Sequence, residues 1–196
     1  MSKPWWDLPS VPEFREVAQR FIALIDGRDR LTATDLLHRA HFALPRLYSS
    51  GLALPVKPEE AYEEDDDTVL EYHEPDISLH QSLWRPIFGS LTTLIGPSWD
   101  RYQEVFDPYA EPPEDVVTGS LADDLADIYV DLREGAELWS RGLHDEAVWQ
   151  WRFSFESHWG EHATGALRAI RALAFGHALG YSSTDVPELN ERNDRQ

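Results

Sequence analysis

The chain has 196 residues, a formal net charge of -19, eight tryptophans and no cysteine. At this length folding buries roughly 70% of the surface an unfolded chain exposes, so no covalent staple is required; without thiols, disulfides and thiolate metal sites are excluded. A field this negative repels nucleic-acid phosphates and anionic membrane surfaces, which argues against direct binding to either.

The acids are clustered. Residues 59–76 hold ten acids and no Lys or Arg, and residues 107–137 hold ten acids against Arg133 alone. Such clusters suit a basic protein partner, a cation or plain solubility. No run approaches the ~20 apolar residues of a membrane span. The opening MSKPWWDLPSVPEF lacks the apolar run of a secretory signal, so the expectation is a cytoplasmic protein.

In chain order, Ser10-Val11-Pro12-Glu13 reads as an N-cap with a capping-box acid, followed by an apolar stripe from Phe14 to Ile25 and a stop at Gly27. A second helix is expected from about Thr34 to Ser49, kinked or interrupted at Pro45. EEAYEEDDD, Glu59 to Asp67, reads as a solvated loop or frayed helix within an acidic loop near 56–76. A third helix covers Ser78 to Ile95, bent at Pro86 and ended by Gly96-Pro97. The stretch from Ser98 to Val117 is either a short helix with a Pro-rich loop or a short extended pair.

The fourth helix begins at the N-cap Ser120 and runs to about Trp139. The fifth starts near Asp145 and continues toward Leu179, with Gly160 and Gly165 as weak points. The expected architecture is all-α: one domain over 1–180, a bundle of about five helices. Helices four and five form an antiparallel hairpin joined by Arg141-Gly142-Leu143-His144. Residues 181–196 read as a polar, frayed tail. Eight tryptophans point to a large-volume core rather than a stacking pocket.

Two constellations could carry chemistry. The first is Asp123, Asp124, Asp127 and Asp131, followed by Glu134, on the fourth helix. Carboxylates at three- and four-residue steps can share Mg²⁺ or Mn²⁺; the alternative is a solvated face opposite the Leu121/Leu125/Leu132 stripe. The second is WQWRFSFESHWGEHA, in which His158 and His162 stand four apart, a metal-ligand spacing, and Arg152 can pair with Glu156. Buried charges there need partners, and the Asp ladder is the nearest source. The outcome is either a structural network of Arg152 and the two histidines with Asp124, Asp127 or Asp131, or a metal or phosphate site built from the same atoms. Tyr102 and Asp107 form a lesser candidate, with Asp-Pro also a common turn starter.

SLADDLADIYVDLREG and AVWQWRFSFESHWGEHA together resemble a bacterial helical domain family of unknown function, closely over Ser120 to Ala163 and loosely over Trp5 to Leu173. That resemblance implies a helical fold and brings no activity, cofactor or catalytic set. Three functions stay open. One is a non-catalytic binding or adaptor module. Another is a metal-dependent phosphate-ester or nucleotide hydrolase with Asp123, Asp124, Asp127 and Asp131 on the metal, Arg152 on phosphate, and His158 or His162 as acid or base. The third is an acidic DNA mimic that occupies a basic protein. The one observation that separates them is where the fourth helix points its carboxylates.

Overall fold

In the computed structural model, residues 4–58, 77–105, 107–112 and 115–176 are described. The acidic tract at 59–76 and the tail beyond 176, both singled out above, lie outside them. The elements in order are α1 (Ser10–Asp26), a 3₁₀ turn (Arg28–Arg30), α2 (Ala33–Leu52), α3 (Ile77–Ile95), a one-turn α4 (Pro97–Asp100), β1 (Arg101–Glu104), β2 (Val117–Ser120), α5 (Leu121–Ser140), α6 (His144–Ser154) and α7 (Gly160–Phe175). A π-helical turn, Phe155–Trp159, joins α6 to α7. The fold is an all-α bundle with one small antiparallel ribbon, in which Arg101 pairs with Ser120 and Glu104 with Val117. The stretch from Ser98 thus combines parts of both alternatives: a one-turn helix, α4, followed by a short extended pair.

Two caps differ from the expectation. Ser10 is inside α1, preceded by Pro9 in helical conformation, and no side chain caps that end. The capping box sits instead on α2: the Thr32 hydroxyl accepts from the Asp35 N–H at 3.1 Å, and the Thr32 N–H donates to the Asp35 carboxylate at 3.4 Å. Neither Pro45 nor Pro86 interrupts its helix. Ser120 caps α5 as expected, accepting from the Asp123 N–H. Asp100, almost wholly buried, reinforces that end by accepting from the Ser120 hydroxyl at 2.8 Å and the Ala122 N–H at 2.9 Å.

Helix α5 is the axis of the bundle and packs on α1, α3, α6 and α7. From Leu121 to Leu132 only Asp123 escapes full burial. Of the two readings of this helix, the solvated face opposite one apolar stripe is the one that does not form. A helix buried all round has no solvent side on which to leave its acids. The α5–α6 link turns at Gly142, whose φ of 84° is left-handed backbone that glycine adopts without a Cβ clash. Trp151 Nε1 then donates to the Leu132 carbonyl at 3.2 Å. Trp151 and Trp159 are core residues, and Trp5, Trp6, Trp84, Trp99 and Trp139 pack against that core.

The expected fifth helix does run on from α6 into α7, but through the π turn. One extra residue per turn brings the Phe155 carbonyl against residue 160, where a Cβ would meet it at 2.3 Å. Gly160 is thus a steric requirement of this turn rather than a weak point.

Arg152 ties this helix to another. Its guanidinium donates to the Leu52 and Leu54 carbonyls at the end of α2, at 3.1 and 3.0 Å, and to Glu156. Those carbonyls have no intrahelical donor. Arg152→Ala is expected to lower stability by about 1–2 kcal/mol, read from the midpoint of denaturant unfolding. Gly160→Ala, which must straighten or distort the π turn, is expected to cost about 1–3 kcal/mol. A wild-type midpoint for Gly160→Ala would contradict the steric reading.

Candidate metal centre on the central helix

Asp124, Asp127, Asp131 and Glu134 follow one another at steps of three, four and three along α5, so they line one face. That face meets α3 on one side and the α6–α7 helix on the other. Asp124, Asp127 and Asp131 are only 4%, 9% and 5% exposed. Three carboxylates this deep need compensation, because desolvation favours their neutral form.

Histidines supply it. His162 Nδ1 stands 2.9 Å from Asp124 Oδ1, and His158 Nδ1 stands 2.8 Å from Asp131 Oδ2. One turn away, His80 Nδ1 stands 3.1 Å from Glu134 Oε1, and Gln150 Nε2 donates to Glu134 Oε2 at 3.3 Å. The Tyr102 hydroxyl reaches in from β1 and donates to Asp124 Oδ2 at 2.7 Å. The same oxygen lies 3.2 Å from Glu104, and one phenolic proton cannot serve both carboxylates. Burial, with Asp124 adding to it, raises the Glu104 pKa above its ordinary value, although Arg168 stands 3.2 Å from its Oε1 and pulls the other way.

Asp127 is the odd member. Its ion-pair contact is with His162 Nε2 at 3.6 Å, too long for a hydrogen bond. Burial pushes its pKa up to about 6, although His162 pulls the other way. For His162 burial acts downward, but the Asp124 hydrogen bond and the charges of Asp127 and Asp124 prevail and lift it to about 8. The hydrogen bond that His158 gives to Asp131 likewise raises its pKa.

One ligand atom from each of Asp127, His158 and His162 lies within 4.8 Å of the others. The two imidazole rings meet edge to face with centroids 4.8 Å apart. In a neutral ring whose Nδ1–H is given to a carboxylate, Nε2 keeps its lone pair for a metal. Both histidines have such a carboxylate. His162 and Asp124 also line a cleft of about 220 Å³ with Phe88, Arg101, Glu104 and Asp123. A larger recess of about 490 Å³, between α1 and α2, contains none of these groups.

Not every residue expected at the site is there. Arg152 is turned to the end of α2, because unpaired helix carbonyls and Glu156 occupy its donors. Asp123 lines the cleft outside the two-histidine group. Tyr102 joins through Asp124, whereas Asp107 accepts from the Tyr109 N–H in a turn. His80 and Gln150 had not been singled out from sequence. A signal for His80 existed: it stands four residues before Trp84, on a helix read as mostly apolar.

The crystal structure of protein BF1032 from Bacteroides fragilis, a structural-genomics target, has a similar fold. It is 20% identical, with a TM-score of 0.62, and the alignment covers 84% of this chain and 92% of that one. No curated protein matches the chain. The model of a domain of unknown function, DUF5063, matches residues 9–176, and the chain belongs to that family.

Proposed function

We propose that this domain holds a divalent first-row metal ion on Asp127, His158 and His162, and uses it to hydrolyse a phosphate ester or nucleotide that enters by the adjoining cleft. The observation that carries the reading is the 3.6 Å between His162 Nε2 and Asp127 Oδ2. Two ligands about 2.0–2.1 Å from a tetrahedral ion stand about 3.4 Å apart, so the pair is spaced for a shared ion rather than for a hydrogen bond. Asp124 and Asp131 would orient the two rings through their Nδ1–H groups.

Two imidazoles beside one carboxylate favour Zn²⁺, Mn²⁺, Fe²⁺ or Co²⁺ over the oxygen-loving Mg²⁺. Three protein ligands leave a coordination position for water, whose pKa the ion lowers. His158 has a side chain 42% exposed, so that position faces an accessible edge. With Arg152 elsewhere, Arg101 is the arginine of the cleft and the group for a substrate phosphate. The DNA-mimic reading loses ground: three acids of the second cluster are buried and paired rather than displayed to a basic partner.

Co²⁺ binding, followed by d–d absorption and thermal shift, tests the metal. The wild type is expected to bind and to melt higher. Asp127→Asn and His162→Ala lose the effect, and Asp124→Asn weakens affinity about 10- to 100-fold. A wild-type chain that neither takes up Co²⁺ in dialysis nor shifts its melting temperature would refute the proposal. Hydrolysis of bis(p-nitrophenyl) phosphate then tests the reaction: Arg101→Ala should raise KM more than it lowers kcat. Metal uptake with no turnover would favour a non-catalytic binding module.

The metal-free chain should also show a pH signature. His162 has a folded pKa of about 8 against an ordinary 6.5. The folded state therefore holds more protons in that window. Its stabilisation is complete below about 6.5 and is lost as pH rises through 8. Metal affinity should run the opposite way, rising over that interval as protons stop competing. Denaturant midpoints with and without Co²⁺ check both slopes, and His162→Ala should flatten the metal-free one.

A further inference from the structure

We infer that a second divalent cation binds beside the first, held by His80, Asp131 and Glu134, so that the centre is binuclear. This rests on the reading of Asp127, His158 and His162 as the first position.

One ligand atom from each of His80, Asp131 and Glu134 lies within 4.8 Å of the others. The residues come from two helices that pack together, α3 and α5. Asp131 and Glu134 are three apart on α5, so both carboxylates leave the same face. Glu134 is oriented from outside the group: Gln150 Nε2 holds its Oε2 and leaves Oε1 facing His80. Its side chain is 17% exposed and that of His80 is 30% exposed, which leaves an edge open to solvent.

The two positions are connected. Asp131, a ligand of the second, accepts the hydrogen bond that orients His158, a ligand of the first. Asp127 and Asp131 are four residues apart, about 6 Å of helix rise, so the groups are neighbours along one face.

Charge decides between one ion and two. Asp124, Asp127, Asp131 and Glu134 place four negative charges on this face, and the three histidines must be neutral to ligate. One divalent ion leaves one or two charges uncompensated in a largely buried seam, according to whether His80 carries a proton against Glu134. Two divalent ions balance all four.

Equilibrium dialysis with Co²⁺, on the full chain, counts the ions. The wild type is expected to bind two per chain. His80→Ala and Glu134→Gln should each bind one, and Asp127→Asn should keep one. Circular dichroism and the melting temperature confirm that each variant folds; His80→Ala and Glu134→Gln provide two independent routes to the same loss. A wild-type stoichiometry of one that Asp127→Asn abolishes and His80→Ala leaves intact overturns the second position while the first stands. A single ion lost in His80→Ala but kept in Asp127→Asn overturns the binuclear centre through failure of the first position. No ion in any form overturns both.

Discussion

Three carboxylates buried on the central helix are the constraint around which this domain is arranged. An isolated ionised carboxylate in the interior is costly enough that it either neutralises or recruits a partner. Asp124 and Asp131 recruit imidazoles at hydrogen-bonding distance, and Asp124 adds a tyrosine hydroxyl. Asp127 has His162 only at 3.6 Å, and its raised pKa records the shortfall. In the proposed reading, a cation between them would supply what the imidazole does not. The carboxylates thus set the position of β1, which brings Tyr102, and of the α6–α7 helix, which brings both histidines.

The π turn is the device that aims those histidines. In an unbroken α-helix, residues four apart share a face, but that face must still coincide with the acid ladder of α5. A single inserted residue rotates everything beyond it by about 100°. Here the insertion spans Phe155–Trp159 and contains His158 itself. Phe155 and Trp159 are buried and pack at a tilt of 55° with centroids 4.7 Å apart, which holds the turn from the core side. Gly160 admits the displaced Phe155 carbonyl. A glycine that local propensity marks as a helix fault is what allows the helix to continue.

The helices were legible because their apolar residues recur at helical spacing and their ends carry turn residues. The hairpin of α5 and α6 was legible at Gly142, and Ser120 as a cap. Two kinds of information were not. Whether α5 hides its acids depends on how many helices surround it, and no periodicity within α5 records its neighbours; the orientation of Asp127 stayed open for that reason. The destination of Arg152 depended on unpaired carbonyls one hundred residues earlier in the chain, at Leu52. Residue type and spacing identified His158, His162 and the aspartates as a set. The contact with His80 needed α3 to pack on α5, which only the folded chain shows.

The core also bears on why a metal would be kept at all. Small domains that cannot bury enough apolar surface use metals as structural staples, in closed four-ligand sites. This chain has no such need. Its core runs from Val11 in α1 to Ala174 in α7 and includes two fully enclosed tryptophans. The ligand groups lie at the edge of that core, with His158 and His80 partly open to water. Each group offers three protein ligands rather than four. An ion placed there would contribute little that folding lacks, and with three protein ligands it would have a position open to bind and polarise a fourth ligand from outside the chain. The adjoining cleft is the path from which that ligand would come.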